Sequence, residues 1–509
     1  MTFGGDKLPR DPFGVPNSAV SANFQVLWGN GNPISPTEAT WLLQAYEQSW
    51  NVELTEMGHP VPAGTEAYLL NVYVGDSGDG APDSFGAGGY YTLDPEGYPM
   101  LVMGPGTVAG GEASIQGVAA HEFYHAVQGS TDRFIYEGAS GWFFESTAMW
   151  IEAEVFPGIS SYAVFLFGYA YLPQYPVNFF DYFDTGALPE YYQYGSFIFP
   201  RYLTNQVLDR DLIRDIWLDP SVEPDPLRLI SNALDAEGFE LGEVWLDHAA
   251  RNVVWDYPDQ DLLQANVDGF LDVFEESENL VMAEIPAEGT EGFVAGPVGR
   301  QPRRYGSNAI RMQTPSTDDL RVQVLGDAQG NAGTPAFWGA RIVRQFSDHV
   351  EYEPVPFMPG DPYEADVLVE GVGDEEAIWL VVGAWSDDPL PPTWDTEQFG
   401  YQFSMTPQDA PAGSSSTGGV DTTDGADTTD GADTTGSPGT STGGASTTGD
   451  LPGGTEGPGP DTGSSDGGAP PAVGDDSGCG CVAGSSSQGR VAPLLVMVAF
   501  AWRRRRRSR

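Results

Sequence analysis

Histidine is scarce in this chain, five in 509 residues, and two of the five stand four apart in His121-Glu122-Phe123-Tyr124-His125. On an α-helix, positions i and i+4 share a face, so the two imidazoles can grip one metal ion together. Glu122, beside the first of them, is then placed to act as a base on a water molecule. Metal-assisted hydrolysis needs three protein ligands and one open position. A third ligand must come from another element, and Glu145 lies twenty positions after His125, within Trp142-Phe-Phe-Glu-Ser-Thr-Ala-Met-Trp150-Ile-Glu152.

The elements that must hold these residues follow from periodicity and turn chemistry. Residues 1–20 are rich in Pro and Gly and read as an extended lead-in. Phe24–Trp28 reads as a strand that ends at the turn Gly29-Asn30-Gly31-Asn32-Pro33. Ser35 caps a helix with Pro36 at its first position, Glu38 in its first turn and an apolar stripe of Trp41, Leu42, Leu43, Tyr46 and Trp50. Ala67–Val74 is apolar enough for a strand covered on both faces. Gly86–Thr92 and Pro99–Met103 flank the turn Asp94-Pro95-Glu96-Gly97 as a hairpin. The second strand of that hairpin could pair with an extended peptide. The histidine-bearing helix is expected over Glu112–Gly129.

From about 140 to 283 the pattern is helical: the Glu145 segment, an aromatic stretch Tyr162–Phe183, then Tyr194–Leu208, Leu212–Leu218 and Glu240–Val254. From about 285 to 408 the period changes to two, as in Leu320–Leu325 and Ala377–Val382, which predicts a small β-sandwich. The expected class is α+β, with a small mixed sheet and the histidine helix over 21–135, a helical subdomain over 136–284 and a β-module over 285–408.

The stretch His121–Glu152 resembles the gluzincins, the thermolysin and aminopeptidase-like clan of zinc metallopeptidases. In that clan HExxH is followed about twenty residues later by a glutamate ligand on a second helix, often as W-x-x-E-x-x-A-x-W/Y/F-x-E. By layout the likeness extends over about 20–280. It implies a zincin fold and a Zn2+ ion held by His121, His125 and Glu145. It also implies a protein or peptide substrate, with Glu122 moving a proton from water to the leaving amine. A Tyr or His from the helical half would stabilise the oxyanion, and this chain offers Tyr194, in Gln193-Tyr-Gly-Ser-Phe197, or His248. Each also has a plainer reading: Tyr194 as core packing, and His248, beside Asp247 and near Arg251, as a surface residue.

The chain departs from the clan in places. Phe144-Glu145-Ser146 stands where Asn-Glu-Gly is common, and Met149 where the thermolysin branch has a carboxylate that orients a zinc histidine. Glu152 or Gln128 could take that part, with Glu152 as a solvated residue the alternative. The exopeptidase signature Gly-x-Met-Glu-Asn is replaced by Met100-Leu-Val-Met-Gly104, which favours an endopeptidase.

Charge narrows the partners. With 73 acidic against 22 basic residues, a net charge of -51, the chain repels phosphates, and non-specific nucleic-acid binding is excluded. Asp76, Asp79 and Asp83 offer a possible Ca2+ site, but the spacing lacks the EF-hand glutamate and a solvated loop is the simpler expectation. Both cysteines, Cys479 and Cys481, fall in the tail, so the folded part has neither disulfide nor thiol nucleophile.

From Pro411 the composition collapses to Ser, Thr, Gly, Asp and Pro, with the repeat DTTDGADTTDGADTT, so 409–478 is expected to be a disordered stalk. Residues 479–509 place an apolar run, Val491–Trp502, before Arg503–Arg507; a bilayer span needs about 20 apolar residues, more than this run has. This tail resembles the MYXO-CTERM sorting signal, which implies cleavage near Cys479 or Cys481 and attachment to the cell envelope. No signal peptide is visible after Met1, and export would then require a start upstream of it. The expectation is a monomeric zinc metallopeptidase, exported and either surface-anchored or secreted. The alternative is a surface binding or adhesion protein on an inactive zincin scaffold.

Overall fold

The computed structural model describes residues 7–134, 140–181, 186–221, 223–270, 281–386 and 396–409. The stalk and the Cys/Arg tail lie outside them. Among the described residues, helices and several β-sheets alternate in an α+β arrangement. The first sheet is mixed and contains β1 (Asn17–Val20), β2 (Phe24–Trp28), β3 (Leu70–Val74), β4 (Gly89–Leu93) and β5 (Pro99–Met103), in the order β1-β2-β3-β5-β4. β2, β3 and β5 run parallel, and β1 and β4 close the two sides antiparallel. The inner strands β3 and β5 are buried throughout, as expected of strands covered on both faces.

Two expectations change here. β1 forms within the segment read as an extended lead-in. β5 is not available to a peptide, because β3 and β4 occupy its two edges; β4 is the outer strand.

Helix α1 (Pro36–Ser49) starts as its sequence dictates. Ser35 Oγ accepts from the Glu38 amide, and the Glu38 carboxylate accepts from the Ser35 amide at 2.6 Å, a reciprocal cap with Pro36 first. The helix runs on into a π-helical turn, Trp50–Glu56, which carries Glu53 into the interior. After β5, the short α2 (Pro105–Ala109) leads into α3 (Glu112–Gly129), the helix with both histidines. α3 packs against α1, β4, β5 and the next helix, α4 (Gly141–Val155), which carries Glu145. Every residue from Ala119 to Gln128 is buried, so this part of α3 has no solvent face.

The helical region continues with α5 (Leu166–Ala170), α6 (Tyr192–Gly195), α7 (Ile198–Tyr202), α8 (Asp211–Trp217), α9 (Pro226–Ala236), α10 (Leu241–Asn252) and α11 (Gln260–Asp268). The sequence reading missed α9 and α11. α9 opens with the Asp225 carboxylate accepting from the Leu227 amide and Pro226 at its first position, a start signal that was there to be read. Trp142, Trp150, Trp217, Trp245 and Trp255 are fully buried in the core these helices build.

The last third is β-rich: β6 (Val281–Ile285), β7 (Val294–Ala295), β8 (Gly306–Met312), β9 (Asp319–Gly326), β10 (Phe337–Gln345), β11 (Val350–Pro354), β12 (Phe357–Met358), β13 (Asp361–Glu370), β14 (Ala377–Trp385) and β15 (Tyr401–Gln408). One sheet has the order β12-β13-β9-β15-β7; another has β11-β10-β14, with the β6–β8 pair packed beside β14. A core drawn from both sheets joins Val322, Val324 and Phe403 to Ile342, Leu380 and Val382.

β14 is buried at every position. Ile378, Leu380, Val382 and Ala384 point into this β core, whereas Ala377, Trp379, Val381 and Trp385 join the helical core. The strand's two-residue period therefore divides two hydrophobic interiors, not core from solvent. α10 seals the junction: a Cβ on Gly242 would lie 2.3 Å from the Trp385 ring, and one on Gly383 would lie 2.4 Å from the Trp245 ring. Arg341 of β10 reaches Glu243 at 2.6 Å and Asp247 at 2.7 Å on the same helix.

Candidate metal centre

Because α3 and α4 pack side by side, three side chains from two helices converge. His121 Nε2 lies 3.3 Å from Glu145 Oε2, and His125 Nε2 lies 3.6 Å from the same oxygen. The three ligand atoms fall within 4.8 Å of one another, and the imidazole planes cross at 84°. His121, His125 and Glu145 are 4%, 2% and 5% exposed. His121 Nε2 and Glu145 Oε2 make no hydrogen bond although both are buried. Two orphaned polar atoms facing each other beside a second imidazole fit a divalent cation, since buried polar atoms otherwise find partners. Two imidazoles and one carboxylate form a donor set that suits zinc.

The other nitrogen of each ring is held by a different partner. His121 Nδ1 lies 3.3 Å from Glu152 Oε1, while Glu152 Oε2 accepts from Ser161 Oγ at 2.6 Å. Gly117, one turn before His121 on α3, leaves the room: a Cβ there would lie 2.2 Å from Ser161 Oγ and 2.9 Å from Glu152 Oε2. Glu152 is thus a buried partner of His121 and not a solvated residue. Met149, where a carboxylate was expected, is packed in the core.

His125 Nδ1 lies 2.7 Å from Gln128 Oε1. Gln128 Nε2 donates to the Phe144 carbonyl and to Thr147 Oγ1, each at 3.0 Å. Both substitutes suggested by the sequence are therefore present, one on each histidine. Partners of this kind fix the tautomer and aim the free nitrogen at the ion.

Electrostatics follow from this crowding. Burial lowers the pKa of His121, but the carboxylates of Glu145 and Glu152 outweigh it and push it up to about 10. Burial raises that of Glu145, and the two histidines overcome it and hold the carboxyl down to about 2. The carboxylates thus favour positive charge where a cation would sit. Burial pushes Glu122 up to about 7, against the pull of the histidines. Its Oε2 is buried without a partner, and its side chain lies against Gly89 of β4.

The oxyanion candidates separate. Tyr194, on α6, is buried beside the centre, its ring centroid 6.3 Å from that of His121 and 5.1 Å from that of Phe165. His248 is not on the surface. It is fully buried among the rings of Tyr169, Phe199 and Tyr202, with Nε2 3.0 Å from Asn252 Nδ2. Burial lowers its pKa to about 3, so it is a neutral core histidine. The signal was in the sequence, since Val244, His248 and Asn252 share one stripe of α10.

Asp76 and Asp83 serve their own loop and Asp79 ties it to the turn at 29–33: Asp76 accepts from Ser84, Asp83 from the Phe85 amide, and Asp79 from the Asn30 amide. Sequence reasoning missed Ser161, Thr147, Gly89 and Gly117, small residues whose worth lies in what they leave room for or hold.

The family of unknown function DUF6055 matches residues 9–403, well over half of the chain. The chain belongs to this family. The match takes in the first sheet, both metal-motif helices and most of the β-rich third, so DUF6055 spans both hydrophobic cores. No curated protein matches the DUF6055 chain. Among solved structures it is similar to a family GH115 4-O-methyl-α-glucuronidase with specificity for decorated arabinogalactans, at 11% identity over 43% of this chain and 30% of that one. The chain spans under a third of that enzyme's length, and a TM-score of 0.15 carries no argument about fold or activity.

Proposed function

We propose that this DUF6055 protein is a zinc-dependent metallopeptidase of gluzincin type, an endopeptidase displayed on or released from the cell surface. The observation that supports it most is the convergence of His121, His125 and Glu145 on one buried point with Glu122 alongside. A zinc ion bound there supplies Lewis acidity, acidifying a water and polarising the scissile carbonyl.

The rest falls to the chain's own residues. Glu152 and Gln128 hold the two imidazoles with their Nε2 atoms turned towards Glu145. Glu122 takes the proton of the attacking water and returns it to the leaving amine. Its burial, which places it near neutrality, suits it to work in both directions, and a cation nearby draws it back towards ionisation. The Tyr194 hydroxyl serves as donor to the developing oxyanion. The outer edge of β4 aligns an extended peptide by main-chain pairing, the role the sequence reading had given to β5.

Surface display rests on the stalk and the Cys/Arg tail read from the sequence. Among the described residues, no helix is long and apolar enough to cross a membrane.

Metal analysis and peptide-library cleavage of the wild type and Glu122→Gln test the reading. One bound zinc in both, with cleavage lost in the variant, is the expected result. Zinc-loaded wild type that cleaves no peptide rejects the peptidase, and a protein that binds no zinc rejects the metalloenzyme altogether.

A further inference from the structure

We propose that Gly89 is a positioning residue for Glu122: β4 carries no side chain at this point because the carboxylate-bearing side chain occupies the space. The inference rests on the hydrolytic reading for its kinetic consequence, but not for its geometry. A Cβ on Gly89 would lie 2.7 Å from Val118 Cγ1, 2.8 Å from Glu122 Cγ and 3.1 Å from Glu122 Oε1. The first two approaches are closer than real Cβ atoms make, so something would have to move.

The backbone gives no other reason for glycine here, since Gly89 is not among the residues with positive φ. Nor can the strand readily retreat. Gly89 is in register with Met103, the first of a run of pairs that ends with Leu93 opposite Pro99. Two residues along, on the same face of β4, Tyr91 makes the reciprocal approach: a Cβ on Gly129 of α3 would lie 2.5 Å from the Tyr91 hydroxyl. Strand and helix are thus brought close at two points, each relieved by a glycine on one partner. At the first point α3 presents Val118 and the proposed general base, Glu122.

A Glu122 pressed by a methyl group has two escapes. It can turn to another rotamer, which removes the base from the water it must reach, or α3 and β4 can separate. The first leaves His121 and His125 where they are, so metal binding survives while proton transfer fails. The second loosens the protein as a whole.

The test compares Val118→Ala, Gly89→Ala and the double variant Gly89→Ala/Val118→Ala. Val118→Ala removes the other close approach, so the double variant leaves the one to Glu122. Expected for the double variant are a melting temperature close to that of Val118→Ala, Co2+ uptake and visible spectrum unchanged, and kcat lower by on the order of 100-fold with KM nearly constant, the size of effect attributed to a misplaced general base. Its crystal structure should show Glu122 in a different rotamer. Kinetics restored to those of Val118→Ala, or a crystal structure with Glu122 in place and β4 displaced, would overturn the proposal. A wild type without peptidase activity sinks the hydrolytic reading alone, because the crystallographic comparison still decides what Gly89 does.

Discussion

The Gln128 amide accepts from His125 Nδ1 at 2.7 Å, and its orientation is set from the far side, where Nε2 donates to the Phe144 carbonyl and Thr147 Oγ1. One side chain therefore ties the α3 histidine to two residues of α4. Turning the amide over would set N–H against N–H at His125 and oxygen against oxygen at Phe144. Gln128→Leu, which keeps the bulk and loses the acceptor, is expected to weaken zinc binding by about 10- to 100-fold. Competition with a chromophoric chelator measures it, and unchanged affinity would remove Gln128 from the account of the centre.

Glu152 and Met149 make opposite predictions although they are three residues apart on α4. Glu152 touches His121, and Met149 is packed in the hydrophobic core. Glu152→Gln should lower zinc affinity by roughly tenfold or more. Met149→Ala should leave the affinity alone and cost about 2–5 kcal/mol of stability, the usual range for emptying a buried Met site. Chelator competition and urea denaturation of both variants separate the two effects; a Met149→Ala protein with weakened zinc binding would contradict the placement.

Behind α3 lies a buried polar group unconnected with the centre's chemistry. Glu53 is fully buried with neither carboxylate oxygen hydrogen-bonded, and His59 packs edge-on to Tyr124 with both ring nitrogens unpartnered. Burial raises Glu53 well above its ordinary 4.5 and lowers His59 to about 3. For Glu53, stability is fully present below pH 4.5 and is lost as pH rises, because the unfolded chain ionises first. For His59 the sign reverses: stability is present above its ordinary 6.5 and lost as pH falls towards 3. Glu53→Gln should therefore be more stable than wild type at pH 7 and lose that advantage near pH 4. Urea midpoints across this range check it, and a gap that stays constant with pH would contradict it.

How much of this could be read from the sequence depends on what each residue faces. The Ser35-Pro36-Glu38 start, Phe24–Trp28 and the Glu112–Gly129 helix were legible because caps, turns and i, i+4 spacing are local. His121, Glu122 and His125 could be named for the same reason, whereas Glu145, twenty positions on and on another helix, was named from the spacing that the gluzincins share. β14 was legible as a strand but not as a wall between two cores, since a residue's alternation does not say what lies on either side. Gly89 and Gly117 were invisible because their contribution is an absent side chain, which becomes visible only when the neighbouring element is in place.

That wall gives a fourth prediction. Trp385 packs on Gly242 and Trp245 of α10 from the end of β14. Trp385→Ala should destabilise the protein by about 3–5 kcal/mol, the range for a buried aromatic. A chain ending at residue 284 should fail to fold, because it leaves that part of the helical core uncovered. Circular dichroism and thermal melting test both, and a soluble, cooperatively melting 1–284 fragment would show that the helical part stands alone.

His121, His125 and Glu145 are each at most 5% exposed. Their burial governs time as well as affinity. An ion seated there would meet solvent only at the position a substrate must reach, and its three protein ligands would release it only as often as α3 and α4 part. Exchange is then paced by opening of the fold, and its rate should stop rising once chelator is in excess.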